Sequence, residues 1–221
     1  MPLNAFRPGD DAPFWAQIVE RDEYHVPKFD EGDVVLDLGL SIGAFTQRAW
    51  DQGSRNIFAY EACPDNFRLA AQNVGGFEGV KLYNKAVVGP GRPRTLSFQP
   101  GLNSFFISAA GAQHAPQDVR TTTLDEILRE LGPVRFMKVD IEGSEWEVLF
   151  TSRLFDTGSV EELVGEYHQP CETWPGLKQN PYHPSYDWQT LERFLIALGF
   201  RTRFQGYESQ RVQAGSFRAV R

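Results

Sequence analysis

The sequence is poor in sulfur and in histidine, with two Cys, two Met and four His among its 221 residues. Cys63 and Cys171 form neither a CxxC pair nor a disulfide framework. A thiol-ligated zinc site and an oxidised, disulfide-held scaffold are therefore not expected, and both thiols read as ordinary packed or exposed side chains. Basic charge is also in deficit: 22 Lys and Arg stand against 29 Asp and Glu, a net charge of −7. That balance disfavours a protein held to nucleic-acid phosphates by long-range attraction, although a small local basic groove stays open. No uninterrupted apolar run reaches the roughly 18 residues of a membrane-spanning helix. The opening MPLNAFRPGDD lacks a basic stretch followed by an apolar one, so a cytoplasmic protein without export or membrane insertion is expected. Internal repeats and low-complexity tracts are missing as well. What is present is core material: 41% hydrophobic residues, with 17 Phe and 5 Trp, enough for one globular α/β unit.

From Val34 onward, short apolar runs alternate with amphipathic stretches, the pattern of a parallel sheet covered by helices. Strands are expected at 34–38, 56–62, 80–88, 92–99, 134–142 and 160–168. Helices are expected over 44–52, 65–74 after Pro64, 123–131 with Thr123 as N-cap, from about Ser144, and over 187–200. Residues 201–208 and 215–221 read as a closing antiparallel pair. The Gly-, Ala- and Ser-rich stretch 100–118 is too long for a simple connector and reads as a binding loop or lid. Residues 1–32 form an N-terminal appendage and 33–221 the main domain.

Three motifs place chemistry at strand ends. In Asp37-Leu38-Gly39-Leu40-Ser41-Ile42-Gly43, a carboxylate closes a strand and two glycines open a helix, where the chain can approach a ligand closely and offer unpaired N–H groups. The spacing differs from the GxGxxG of dinucleotide folds, and Asp37 would oppose a pyrophosphate. The cationic amino-acid end of a ligand fits better. Glu61, at the end of the second strand, could accept both hydroxyls of a ribose. Lys138-Val139-Asp140-Ile141-Glu142-Gly143 ends the central strand in two carboxylates at the ligand-facing edge. The bland readings are a packing turn at the glycines, a surface Glu61, and Asp140 capping a helix while Glu142 pairs with Lys138 or an arginine.

Together with Tyr60-Glu61-Ala62-Cys63-Pro64, Asn84-Lys85-Ala86-Val87 and Thr123-Leu124-Asp125, these motifs resemble, in this order, the FkbM-type S-adenosylmethionine-dependent methyltransferases. The likeness spans about residues 20 to 200. It implies a Rossmann-like fold, a seven-stranded mostly parallel sheet of order 3-2-1-4-5-7-6 ending in an antiparallel hairpin. It also implies S-adenosylmethionine as cofactor. By that resemblance Asp37, Gly39, Ser41 and Gly43 would surround the methionine end of the donor and Glu61 would hold the ribose. Ala62 and Asn66 would border the adenosine, Ala86 would lie beside the adenine, and Asp140 would sit near the amino group. Glu23-Tyr24-His25 resembles a segment that closes over the donor. The family usually carries Asn where this chain has Ser41, which keeps a hydrogen-bonding group of shorter reach.

For transfer to a hydroxyl, a general base is expected at the same edge. His168, ending the run VGEYH, is the first candidate because a neutral imidazole accepts a proton near pH 7; Glu142 and Asp140 are the alternatives. His114, His25 and His183 are weaker. Asp140, Glu142, Glu166 and His168 could instead gather a divalent cation, but spacing does not single this out and no metal is assigned. Acceptor walls are expected from Asn103, Ser104, Phe105 and Phe106 and from Trp174, Tyr182, Tyr186 and Trp188. By resemblance the reaction is O-methylation of a sugar or small metabolite. A nicotinamide-dependent oxidoreductase and a non-catalytic donor-binding module are the rival readings.

Overall fold

The computed structural model describes residue 7 and residues 11–98, 117–168, 187–206 and 214–221. The expectations placed on Asn103 to Phe106, His114, Cys171, Trp174, Tyr182, His183 and Tyr186 lie outside these residues. The chain enters through α1 (Asp11–Trp15), which runs on as a π-helical turn, Ala16–Glu20. Then β1 (Val35–Leu38), α2 (Ala44–Asp51), β2 (Ile57–Glu61), α3 (Pro64–Val74) and β3 (Val80–Val88) alternate as expected. They are followed by β4 (Thr95–Phe98), β5 (Gln117–Thr123), α4 (Leu124–Leu131) and β6 (Val134–Val139). The remainder comprises α5 (Glu145–Thr151), α6 (Arg153–Asp156), β7 (Val160–His168), α7 (Trp188–Ala197), β8 (Arg201–Gly206) and β9 (Ala214–Val220).

The described strands form one sheet of nine in the order β4-β5-β3-β2-β1-β6-β7-β9-β8. Reading from β3 to β8 gives the expected seven-strand order with its terminal hairpin, but the expected count of seven is corrected to nine. The two strands beyond β3 make the difference, and of these β4 falls within the strand expected at 92–99. There β5 runs parallel to β3 from Lys85↔Arg120 to Val88↔Thr123, and β4 pairs antiparallel to β5. The sequence QDVRTTT holds a single aliphatic residue, Val119, so hydrophobic pattern alone does not announce it. Its β-branched threonines and its two partner strands supply the strand instead. The expected strand 134–142 also ends earlier, at Val139, because Glu142 and Gly143 take positive φ, 56° and 98°.

Alternation along β1 sends Leu36 and Leu38 to one face, where Trp146, Leu149, Phe155, Leu191 and Leu195 from the helices pack against the sheet. Val35 faces the other side, with Phe45 of α2 and Phe136, joined there by Ile18, Tyr24, Val26 and Phe29 from the segment before β1. Phe45 stacks on Phe136 at 6.0 Å between centroids, and Tyr24 meets Phe45 edge-on at 5.9 Å. Asp37 shares the Val35 face, so this second core walls the site. Two caps fix local helix starts. Thr123 and Glu126 form a reciprocal capping box, and the Asp187 side chain accepts from the Thr190 N–H at 2.6 Å. Trp188, expected as an acceptor wall, packs on Phe204 at 5.8 Å.

Candidate functional site

β1, β2 and β6 are adjacent and parallel, so Leu38, Tyr60 and Val139 bring their carboxyl ends to one edge. Beyond β1 the chain turns at once: the N–H groups of Gly39 and Leu40 both donate to the Tyr60 carbonyl, at 3.0 and 2.9 Å. Gly39, Ser41 and Gly43 all have positive φ, 90°, 51° and 95°. At Gly39 the requirement is steric as well, since a Cβ there would stand 1.8 Å from the Asp140 carbonyl oxygen. The glycine lets the β6 end press against the β1 turn.

Glu61 ties two of these segments together. Its carboxylate accepts the Ser41 N–H at 2.8 Å and the Cys63 N–H at 2.7 Å. It is 7% exposed, and burial pushes its pKa up to about 7 against the opposing pull of those N–H groups and of Lys138. Asn84 of β3 secures the same strand end by donating to the carbonyls of Glu61 and Ala62. Ala86 and Cys63 lie in a small apolar cluster with Val88, Leu96 and Val119, against which Ala62 packs. Asn66, buried at the start of α3, accepts from Arg7 at 2.9 Å.

The centre of the edge is a charge cluster around Lys138, which is 2% exposed. Its ammonium donates to the Gly39 carbonyl at 2.5 Å and stands 3.6 Å from Asp37 and 3.5 Å from Asp140. Burial would lower its pKa, but the surrounding carboxylates, Asp140 first, outweigh that and raise it. Asp37 takes a hydrogen bond from Thr46 at 2.8 Å; burial raises its pKa while Lys138 pulls it back. One oxygen of each carboxylate, Oδ1 of Asp37 and Oδ1 of Asp140, is buried without a hydrogen-bond donor. The Tyr24 hydroxyl reaches Asp140 Oδ2 at 3.4 Å. Glu23 stands further out, accepting from Gln17 at 2.6 Å.

A second cluster adjoins this one at the β6 and β7 ends. His168 Nδ1 lies 3.0 Å from Glu145 Oε1, and Nε2 lies 3.1 Å from Glu142 Oε2 and 3.6 Å from Glu166 Oε2. Burial would lower the imidazole pKa, but Glu145 and then Glu142 and Asp140 overcome it and push it up to about 10. Both ring nitrogens of His168 thus face carboxylates. Glu142 is paired with His168, not with Lys138 or an arginine. Its own pKa is raised by burial, against the opposing charge of His168.

The structure thus gathers Tyr24, Asp37 and Asp140 around Lys138, holds Glu61 on Ser41, and brings Asp140, Glu142 and His168 within reach of one another. Sequence reasoning missed Thr46, Glu145 and the central part of Lys138. The signal for the last was present, a lone cation inside the apolar run VRFMKV.

Among solved structures, an S-adenosylmethionine-dependent methyltransferase from Archaeoglobus fulgidus superposes with a TM-score of 0.55 at 15% identity, over 96% of this chain and 95% of that one. This likeness shows the fold. Fibrillarin from Aeropyrum pernix, in complex with natively bound S-adenosyl-L-methionine, has a TM-score of 0.49 at 16% identity, over 86% of this chain and 67% of that one. No curated protein sequence matches the chain. The model of the methyltransferase FkbM domain matches residues 37–202, from the buried carboxylate of β1 into the terminal hairpin. The chain belongs to the FkbM methyltransferase family, whose methyl donor is S-adenosylmethionine.

Proposed function

We propose that this protein methylates a hydroxyl of a sugar or other small metabolite, with Asp37, Glu61 and Asp140 holding the donor across three adjacent strand ends. The observation that carries the reading is the alignment of Asp37, Glu61 and Asp140 at three adjacent strand ends, beside a glycine turn that leaves no room for a Cβ. A cationic amino group is a fitting partner for carboxylates so placed. S-adenosylmethionine, when bound, supplies a methyl group on a sulfonium sulfur. Gly39, Ser41 and Gly43 line the methionine end with backbone. Glu61 accepts the ribose hydroxyls with lone pairs that its two backbone N–H groups leave over. Ala62, Asn66 and Ala86 border the adenosine, the last within an apolar cluster suited to a flat base. Tyr24 closes the cleft over Asp140, and Glu23 lies beside it on the same segment. Residues 1–32, although an appendage to the domain 33–221 in sequence, then contribute to its site.

The acidic edge formed by Asp140, Glu142 and Glu166 repels phosphate and favours an uncharged polyol, which argues against a nucleic-acid acceptor. Orientation in a dry pocket supplies much of the rate for an in-line displacement. No helix among the described residues is long and apolar enough to cross a membrane; the sparse cysteines favour the cytoplasm as the working compartment.

The test is calorimetric titration of S-adenosylmethionine into the wild type and Glu61→Ala, followed by methyl incorporation over a panel of sugars and small hydroxyl compounds. Binding weakened by Glu61→Ala, with turnover on at least one hydroxyl, is the expected result. Binding of NAD in place of the donor would move the assignment to an oxidoreductase. Tight donor binding without turnover across the panel would leave a non-catalytic module.

A further inference from the structure

We propose that Asp140, Glu142 and His168 bind one divalent first-row transition ion, of the Mn²⁺ or Zn²⁺ kind, at the carboxyl ends of β6 and β7. Each residue offers one ligand atom, and these atoms all lie within 4.8 Å of one another. Nitrogen and oxygen ligands sit about 2.0–2.2 Å from such an ion, which sets their mutual distances at roughly 3–4 Å. The gap between His168 Nε2 and Glu142 Oε2, 3.1 Å, already falls in that range. Small side-chain adjustments close the rest.

The tautomer is fixed from behind. Glu145 is fully buried and faces His168 Nδ1, while its two oxygens also accept the N–H groups of Ile141 and Gly143 at 2.9 and 2.8 Å. A carboxylate so held cannot turn away, and a ligating histidine commonly has its second ring nitrogen bound in this way. Nε2 is thus the atom presented to Glu142. Independently of that cluster geometry, Asp140 is 9% exposed and keeps its Oδ1 buried without a hydrogen-bond donor. Lys138 and Tyr24 reach only Oδ2. A cation bound by Oδ1 would satisfy that atom. One imidazole with two carboxylates suits a transition ion better than Ca²⁺ or Mg²⁺, which prefer oxygen ligands.

The binding claim stands apart from the reaction assigned above. Only its consequence, a lowered pKa for an acceptor hydroxyl at the same edge, rests on that reading. The experiment titrates Mn²⁺ alone into the chelator-treated full chain at neutral pH, following free Mn²⁺ by its paramagnetic resonance signal, with S-adenosylmethionine binding measured in parallel. The expected result is saturable uptake of one ion per chain, weakened about tenfold or more in Glu142→Gln and in His168→Ala. Glu142 is partly exposed, so Glu142→Gln keeps the test usable if the buried histidine variant fails to fold; an unchanged melting temperature in chelator verifies its fold. Absence of saturable uptake by the wild type, or full affinity in Glu142→Gln, overturns the site. Donor binding without Mn²⁺ uptake rejects the ion and spares the methyl-transfer reading, whereas Mn²⁺ uptake without donor binding does the reverse.

Discussion

Glu61→Gln offers a quantitative test of how the strand-end carboxylates are held. Burial carries the Glu61 pKa from 4.5 to about 7 in the folded chain. At 1.36 kcal/mol per pH unit, ionising this group costs the folded state about 3 kcal/mol that the unfolded chain does not bear. Because the folded pKa is the higher one, the associated stability is fully present below about pH 4.5 and is lost as pH rises through 7. Glutamine has no such titration. It keeps one carbonyl acceptor but turns an amide N–H₂ toward either Ser41 or Cys63, leaving one backbone N–H unmatched at a cost of about 1–3 kcal/mol. The variant should therefore be the less stable protein at pH 5. It should recover about 2–3 kcal/mol relative to wild type by pH 8. Urea unfolding at intervals across that range gives the difference directly, since titration of other groups cancels between the two proteins. Parallel stability curves would refute the assignment of a raised pKa to Glu61. If its carboxylate accepts the ribose hydroxyls, donor affinity should strengthen through pH 7 in the wild type and lose that dependence in Glu61→Gln.

Three further substitutions probe the frame. Gly39→Ala introduces a Cβ 1.8 Å from the Asp140 carbonyl oxygen at a φ of 90°; unfolding should show a loss of more than about 2 kcal/mol, the left-handed backbone alone accounting for about 1–2, and a loss under 0.5 would remove the steric argument. Lys138→Met leaves Asp37 and Asp140 facing each other without their cation, so unfolding at pH 7 should register a loss of about 3–5 kcal/mol, shrinking in acid as the carboxyls protonate. Thr123→Ala removes the acceptor for the Glu126 N–H, and a thermal melt should report about 0.5–2 kcal/mol of destabilisation with donor binding intact.

The parallel core and the terminal hairpin were legible because their signals are local: the runs VEELVGEYH and GSFRAVR, a cap at Thr123, Pro64 opening a helix. β5 was not, because a strand with one aliphatic residue owes its place to neighbours absent from its own window. The carboxylates at the strand tips could be located from sequence, but their states could not. Asp37 meets Lys138 only through the β1–β6 register, and the pKa of His168 is raised by Glu145, Glu142 and Asp140, which come together only in the fold. An ordinary imidazole pKa cannot be assumed for His168 for that reason.

The fastening of Tyr24 joins distant parts of the chain. Arg218 of β9 donates to the backbone carbonyls of Tyr24 and His25 and pairs with Glu162 of β7. A nascent chain that has emerged only as far as Gly206 already carries every acidic side chain of the site, but lacks the arginine that holds the backbone of the tyrosine roofing them. The roof of the pocket is thus tied down by a strand almost two hundred residues away in sequence, and Arg218→Ala should loosen it from a distance.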